Sequence, residues 1–149
     1  MGNGGIGFRL VGSNDAAEEH QKQYLAIARE IGDRHLEGNA LLHSGEAAEQ
    51  QGHIEAAERL YEGALGLRRE INHLKGIAEV LVALGRLLVR DGRWMDAAHR
   101  LEEASQLAER ILAPDEVVLA AGYQSLIPDA NPDLARDALV RHEPRLAAR

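Results

Sequence analysis

The sequence predicts an all-α protein built as a right-handed superhelix of antiparallel helix pairs, with about three pairs in 149 residues. A block of the chain repeats at an offset of 40 residues, and periods of about 20 to 50 residues are typical of stacked supersecondary units. Apolar residues recur at spacings of three, four and seven, which is the period of an amphipathic helix. Aromatic residues make up only 3% of the chain, whereas strands are normally enriched in them.

The repeat matches small residues with small ones and large apolar residues with large ones. The matched pairs are Gly45/Gly85, Gly52/Gly92, Ala57/Ala97, Tyr61/Leu101, Ala64/Ala104, Leu67/Leu107 and Ile71/Ile111. Small residues let neighbouring helices approach closely, and large ones fill the space between them. We therefore expect the helix pairs 35–51/54–71 and 74–91/94–111, within repeats 35–71 and 74–111, to share one geometry.

The segments outside these two repeats match less well. Residues 1–13 are rich in glycine and lack a helical period, so we expect a flexible leader there. Residues 14–33 have the pattern of a single helix, a half repeat that ends at Gly32. Residues 115–149 match as a degenerate pair, with one helix over about 115–127 and a last one from Asn131 to about His142. The repeat domain would thus cover residues 14–149.

The order of residue types resembles the tetratricopeptide repeat (TPR) family. A glycine at the turn between helices is followed by alanine, a large residue and a second alanine, as in Gly52, Ala57, Tyr61 and Ala64. The 40-residue period exceeds the family's usual period of about 34. It is similar to the long-helix variant found in kinesin light chains, spindle-orientation adaptors and the sensor regions of bacterial transcription activators. The resemblance implies a TPR-like α-solenoid that acts as a protein-protein interaction module.

In that family the first helix of each pair lines a concave groove, so the resemblance also implies which residues face a partner. They are Asn39, Leu42, Glu46 and Glu49 in the first copy, and Glu79, Val82, Arg86, Val89 and Arg90 in the second. Val82 and Val89 lie outside the core stripe of their helix. They are either an apolar contact for a peptide or residues that the third helix pair covers. The family's lysine and asparagine clamp for a C-terminal carboxylate is absent.

Composition and motifs argue against several other functions. The net charge of −7 does not suit nucleic acid, which needs a concentrated basic surface. The chain has no cysteine, and its seven histidines lack the i,i+4 spacing of a metal site. A G-x-G-x-x-G match over residues 2–7 has no preceding strand, and no nucleophile elbow is present. We therefore expect no catalytic residues, no metal site, no cofactor and no enzyme activity.

The expected partner is a protein or peptide bound in the concave groove. The alternative is a sensor or regulatory segment of a larger transcription or signalling protein that binds a peptide or small effector. The sequence contains no signal peptide and no apolar run of about 18 residues. We therefore expect a cytoplasmic protein without a membrane partner.

The helix over 14–31 is predicted to end the superhelix with one apolar side uncovered. Its stripe includes Ala17, Tyr24, Ile27 and Ile31, and the next repeat covers only one side of a terminal helix. The leader could fold back over the other side, a second chain could form a homodimer there, or a longer protein could continue upstream. The sequence favours the homodimer, because a glycine-rich leader orders at a high entropic cost and buries little area.

Overall fold

The computed structural model describes the backbone of residues 2–128 and the side chains of residues 16–128. This part of the chain contains six α-helices and no strand. They are α1 (Gly2–Ile31), α2 (Arg34–Gln50), α3 (Ile54–Glu70), α4 (Leu74–Arg90), α5 (Trp94–Arg110) and α6 (Pro114–Gln124). The all-α prediction is confirmed, and the four helices of the two strong repeats begin and end within one residue of their predicted bounds.

The links between the helices repeat every 20 residues, which is half of the sequence period. In each link one residue has a positive φ angle: Gly32, Gly52, Asn72, Gly92 and Leu112. At the end of α2, the N–H of His53 donates to the carbonyl oxygen of Ala48 at 2.9 Å, and equivalent bonds close α1, α3, α4 and α5. This is the Schellman arrangement, in which a left-handed residue lets the chain satisfy the last carbonyl groups of a helix. The identical links turn each helix back against the one before it.

The helices pack mainly against their neighbours in the chain, as in an α-solenoid. Contacts join α1 to α2, α2 to α3, α3 to α4, α4 to α5 and α5 to α6, and α4 also contacts α6. Helix α4 is the most buried of these, and its side chains dominate the core. Large, fully buried side chains include Tyr61, Leu65, Leu81, Leu84, Leu87 and Leu101. The predicted fold class, an α-solenoid of helix pairs, is therefore confirmed.

The small and large residues of the repeat meet as the sequence predicts. A Cβ atom at Gly45 would lie 2.6 Å from Cε1 of Tyr61, and a Cβ atom at Gly85 would overlap the side chain of Leu101. Gly45 and Gly85 are 40 residues apart, as are Tyr61 and Leu101. Each glycine thus leaves the space that the large residue of the following helix occupies.

The two ends of the chain differ from the rest. Helix α1 begins at Gly2, whereas the sequence predicted an irregular leader up to residue 13 and a helix from about Asn14. The helix predicted from Asn131 to about His142 lies outside the described residues. The division into a leader and a repeat domain over 14–149 therefore stays a prediction.

Candidate functional site

The charged residues predicted to face a partner lie on α2 and α4, and the structure joins several of them directly. The centre of the group is Glu49 of α2, whose side chain is only 3% exposed. Arg86 of α4 binds this carboxylate with two hydrogen bonds, from Nε to Oε2 at 3.0 Å and from Nη2 to Oε1 at 2.8 Å. Arg90 adds a third from Nη1 to Oε2 at 2.7 Å. The first and second copies are thus held together by charge-assisted hydrogen bonds.

Tyr61 of α3 is the fourth member of this group. Its hydroxyl donates to Oε1 of Glu49 at 2.7 Å and accepts a bond of 3.2 Å from Nη2 of Arg86. The ring is fully buried and packs against Gly45. Since the ring cannot move without disturbing that contact, Tyr61 fixes the position of the carboxylate.

The electrostatics of the group follow from this geometry. Burial acts to raise the pKa of Glu49, but the hydrogen bonds from Arg86 and Tyr61 and the charges of both arginines outweigh it, so the pKa is lowered overall. Burial and the neighbouring carboxylate raise the pKa of Tyr61. The bonds to Glu49 raise the pKa of Arg86. The carboxylate of Glu49 and the guanidinium of Arg86 therefore stay charged at neutral pH.

A second polar group surrounds Arg68 of α3, which is 3% exposed. Its Nη2 donates to Oδ1 of Asn39 at 2.9 Å, and its Nη1 donates to the carbonyl oxygen of Gly76 at 2.8 Å. A longer contact of 3.5 Å links Nη1 to Oε2 of Glu79. Burial lowers the pKa of Arg68, and the charge of Glu79 acts against that shift. This guanidinium joins Asn39 of α2 to Glu79 of α4, two more of the predicted residues.

The apolar residues of the predicted groove are covered. Leu42, Val82 and Val89 are 9%, 4% and 8% exposed. They belong to the same buried cluster as Ala120 and Ile127, which lie in and after α6. The first of the two interpretations of Val82 and Val89, an exposed contact for a peptide, is therefore wrong. Helix α6 packs against α4 and α5, as the other interpretation expected.

The remaining predicted residue, Glu46, lies between the two polar groups. Its side chain is about half exposed, and Oε2 is 3.7 Å from Nδ1 of His43. The charge of Glu46 also acts on both Tyr61 and Arg68. The surface formed by Asn39, Glu46, Glu49, Glu79, Arg86 and Arg90 is called the α2/α4 polar face below.

Sequence reasoning missed Tyr61 and Arg68 as members of this face. Both were assigned to packing or left without a role, because they lie on the second helix of a pair. A signal was present in the repeat itself. Tyr61 aligns with Leu101, and Arg68 aligns with Ala108, so the first copy has polar groups where the second is apolar. Departures from an otherwise regular repeat mark positions where a polar partner is required.

The residues 40 positions after those of the second copy are apolar. Adding 40 to Glu79, Val82 and Arg86 gives Leu119, Gly122 and Leu126. All three are exposed, with Leu119 at 47% and Leu126 at 61%. In the 40-residue register of the sequence, positions of the α2/α4 polar face therefore correspond to exposed aliphatic residues in α6 and just after it.

The described side chains include no group of three or more histidines and acids that could hold a metal ion. No helix among those described is long and apolar enough to cross a membrane. Ion pairs link α3 to α5 and to the residue before it, including Arg93 with Glu58 and Arg100 with Glu62.

Comparisons with known proteins agree with the fold. The chain resembles the crystal structure of aspartyl phosphate phosphatase F from Bacillus subtilis with a TM-score of 0.71 and 16% sequence identity, over 94% of this chain and 37% of that chain. At this identity the likeness shows the fold alone, and the chain spans little more than a third of the protein it matches. No protein-family model matches the sequence, and a search of the curated proteins finds no match.

Proposed function

We propose that the chain is a protein-interaction module and that a peptide or protein segment binds along the α2/α4 polar face and its continuation on α6. The observation that carries the proposal is the state of Arg90. Its side chain is 60% exposed, yet Nη1 is held by the buried carboxylate of Glu49. An arginine fixed at one nitrogen presents its other N–H donors to solvent in a defined direction.

The charge at this end of the face also favours a partner. Two arginines, Arg86 and Arg90, share the carboxylate of Glu49. Arg86, Arg90 and Glu49 together carry one positive charge, whereas Glu46 beside them is negative and the whole chain carries −7. Arginine binds carboxylates with fixed geometry, and a side chain that is already oriented loses less entropy on binding. An acidic side chain or a C-terminal carboxylate is the ligand group that fits Arg90.

The apolar row on α6 supplies the other half of the proposed site. Leu119 lies in α6 and Leu126 lies just after its last residue, Gln124, and both are exposed. Gly122 lies between them, and a Cβ atom there would have no neighbour within 4 Å. An aliphatic side chain of a partner has room to lie over this glycine between the two leucines. The proposed partner is therefore a segment that combines a carboxylate with an aliphatic side chain.

The alternative function is a sensor or regulatory segment of a larger transcription or signalling protein. It is supported by the length of the match, since the chain corresponds to 37% of the solved protein that it resembles. The same face would then bind a peptide or small effector. The domains encoded beside this segment in the full gene would distinguish the alternative from a separate interaction module.

A peptide selection tests the proposed site. Random peptides displayed on phage would be selected against the immobilised protein, and the dissociation constants of the selected peptides would be measured by fluorescence anisotropy. We expect peptides with an acidic and an aliphatic residue. Replacing Arg90 by alanine should weaken binding at least about tenfold, because a hydrogen bond to a charged group contributes about 1.5 to 3 kcal/mol. Replacing Leu126 by aspartate should also weaken binding, because it places a charge in the apolar contact.

The controls use exposed residues on another surface. Arg110→Ala removes an exposed arginine from α5, and Met95→Asp changes a methionine that is 88% exposed. Neither should alter the dissociation constant. Arg86 is the less suitable probe, because it holds the buried carboxylate of Glu49 with two hydrogen bonds, whereas Arg90 holds it with one. Urea unfolding of the Arg90→Ala variant checks that the fold is retained. Peptides that bind the Arg90→Ala and Leu126→Asp variants as tightly as the original protein would contradict the proposal.

A further inference from the structure

Helix α1 is much longer than the helices that follow it. It has 30 residues, whereas α2 to α5 have 17 each. At about 1.5 Å per residue, the lengths are ~45 Å and ~26 Å. Helix α2 turns back at Gly32 and can lie beside only the second half of α1. The first half of α1 therefore extends past the helix on which α1 packs.

One face of α1 carries exposed apolar side chains. Leu25 packs against the core and Ala28 is 1% exposed, so these residues mark the side that faces α2. Tyr24, Ile27 and Ile31 are 38%, 55% and 62% exposed. They are three of the eight exposed large apolar residues in the described part of the chain. This grouping is what an interaction surface shows, in contrast to single exposed residues.

The spacing on this face is that of a coiled-coil seam. Alternate steps of three and four residues connect Ala17, His20, Tyr24, Ile27 and Ile31. In the sequence the same steps continue towards the N-terminus through Ser13, Leu10 and Ile6, and the helical backbone is unbroken from Gly2. The pattern covers nearly four heptads, the length over which a heptad repeat indicates a coiled coil.

We propose that α1 is a dimerisation helix and that its partner is α1 of a second copy of this chain, packed antiparallel in a two-fold symmetric pair. In such a pair each residue meets the residue whose number adds to 37 with its own. The pairs are Ile31 with Ile6, Ile27 with Leu10, Tyr24 with Ser13, and His20 with Ala17. Every position of the stripe is then paired. Tyr24 and His20, which are large and carry a polar group, are paired with the small residues Ser13 and Ala17.

The antiparallel register has two further advantages. It brings Arg9 of one chain near Glu30 of the other, beside the seam, where opposite charges stabilise pairing. A parallel pair would instead place His20 against His20 and Ser13 against Ser13. The antiparallel pair also holds the two repeat domains at opposite ends of the shared helices, so that they do not collide.

The glycines of α1 explain why the helix needs this partner. Gly2, Gly4, Gly5, Gly7 and Gly12 all lie in its first half, and glycine is among the weakest helix formers. Isolated helices of about a dozen residues are marginal in water even with good helix formers. Since α2 does not reach this half, packing against a second copy would stabilise its helical state.

The experiment measures mass by light scattering at about 50 µM, a concentration at which mass action favours dimers of modest affinity. We expect the mass of a dimer. Tyr24→Glu together with Ile27→Glu should give a monomer. These side chains are exposed in the single chain, so the stability of the repeat helices to urea should not change. Trp94→Glu with Met95→Glu, a matched change of two exposed residues on α5, should stay dimeric. A monomeric wild type, or a dimeric Tyr24/Ile27 variant, would overturn the proposal.

Cysteine cross-linking tests the register, because the chain has no cysteine of its own. In the antiparallel pair, the two copies of residue 17 lie about 5 Å apart along the axis, and the two copies of residue 31 lie ~38 Å apart. Oxidation should therefore join Ala17→Cys chains and leave Ile31→Cys chains single. Cross-linking of both variants would show a parallel pair, and cross-linking of neither would exclude the seam; either result overturns the proposal.

Discussion

The two strong repeats have helices of the same length and equivalent links but different interiors. In both, a glycine on the first helix receives a large side chain from the second, Gly45 with Tyr61 and Gly85 with Leu101. One turn beyond each glycine the copies diverge. The first copy has Glu49, which accepts a hydrogen bond from Tyr61, whereas the second has Val89, 40 residues later, in an apolar cluster with Leu101.

The difference shows that shape and polarity are specified separately in this fold. The distance between paired helices depends on the small and large residues, and these are conserved between the copies. A buried carboxylate is tolerated in the first copy because Arg86 and Arg90 of the second copy bind it. A buried charge without such partners would be strongly destabilising. The polar interior of one repeat thus requires the next repeat.

The largest expected effect comes from removing the main partner of that carboxylate. Arg86→Met deletes the bidentate bond and leaves Glu49 buried with Arg90 and Tyr61. We expect a loss of about 3 kcal/mol in the free energy of unfolding, because breaking a buried ion pair removes the main compensation of a buried charge. Urea denaturation followed by circular dichroism measures it.

Copying the second repeat into the first provides the control. Glu49→Val with Tyr61→Leu reproduces the apolar pair Val89 and Leu101, and Arg86, whose side chain is 24% exposed, can turn towards solvent. We expect stability within about 1.5 kcal/mol of the original protein. In this background Arg86→Met should cost less than ~1 kcal/mol. An equal cost in both backgrounds would show that Arg86 acts through something other than Glu49.

A smaller effect is expected from filling the space beside Tyr61. In Gly45→Ala the new Cβ would lie 2.6 Å from Cε1 of a ring that is fully buried and bonded to Glu49. We expect a net loss of about 1 to 2 kcal/mol, since overpacking outweighs the gain in helix propensity of ~1 kcal/mol. Thermal unfolding should show a lower midpoint.

Gly66 is the matched control on α3. It is exposed, and a Cβ atom there would have no neighbour within 4 Å. Gly66→Ala should therefore stabilise the protein by up to ~1 kcal/mol. If Gly45→Ala were as stabilising as Gly66→Ala, close packing of glycine against the large residue would not be what sets the helix spacing.

The smallest expected effect is a pH dependence of the folding stability, which comes from a residue that only the first repeat has. The link after α3 contains His73, and the equivalent residue after α5 is Ala113. Burial lowers the pKa of His73, and the charges of Arg68 and His35 lower it further, while Glu79 acts in the opposite direction. The ring of His35 is 5.3 Å away, edge on.

The lowered pKa determines the direction of the change. The unfolded chain takes up a proton near pH 6.5, and the folded chain resists it, so stability falls as the pH drops through 6.5 towards the lower folded value. His73→Ala, which copies Ala113, should reduce the difference in stability between pH 8 and pH 5.5 by less than about 1 kcal/mol, since solvent screens the site. If the difference in stability between the two pH values did not change, His73 would not be its source.

Much of the fold was predictable because the repeat is local. The pattern of Gly52, Ala57, Tyr61 and Ala64 placed each helix and each turn, since glycine is the residue that best adopts the left-handed conformation after a helix. Asn72 and Leu112 take the same conformation without glycine. They could be located only from the 20-residue spacing of their neighbours. The long α1 was not predicted, because its glycines argue against a helix.

The candidate site was predictable only in part. Sequence placed Asn39, Glu49, Glu79, Arg86 and Arg90 on neighbouring helices, but it could not show which of them bind one another. Pairing depends on side-chain length and direction across α2, α3 and α4.

By itself, the sequence determined the all-α class, the 40-residue period and the close contacts of small with large residues. These follow from helix geometry and residue volume, which act over a few turns. Only the tertiary structure decided that Val82 and Val89 are buried and that Arg68 joins Asn39 to Glu79 through the interior. It also decided that two arginines share Glu49. Burial and charge pairing depend on what the other helices cover, and residues distant in the chain supply those neighbours.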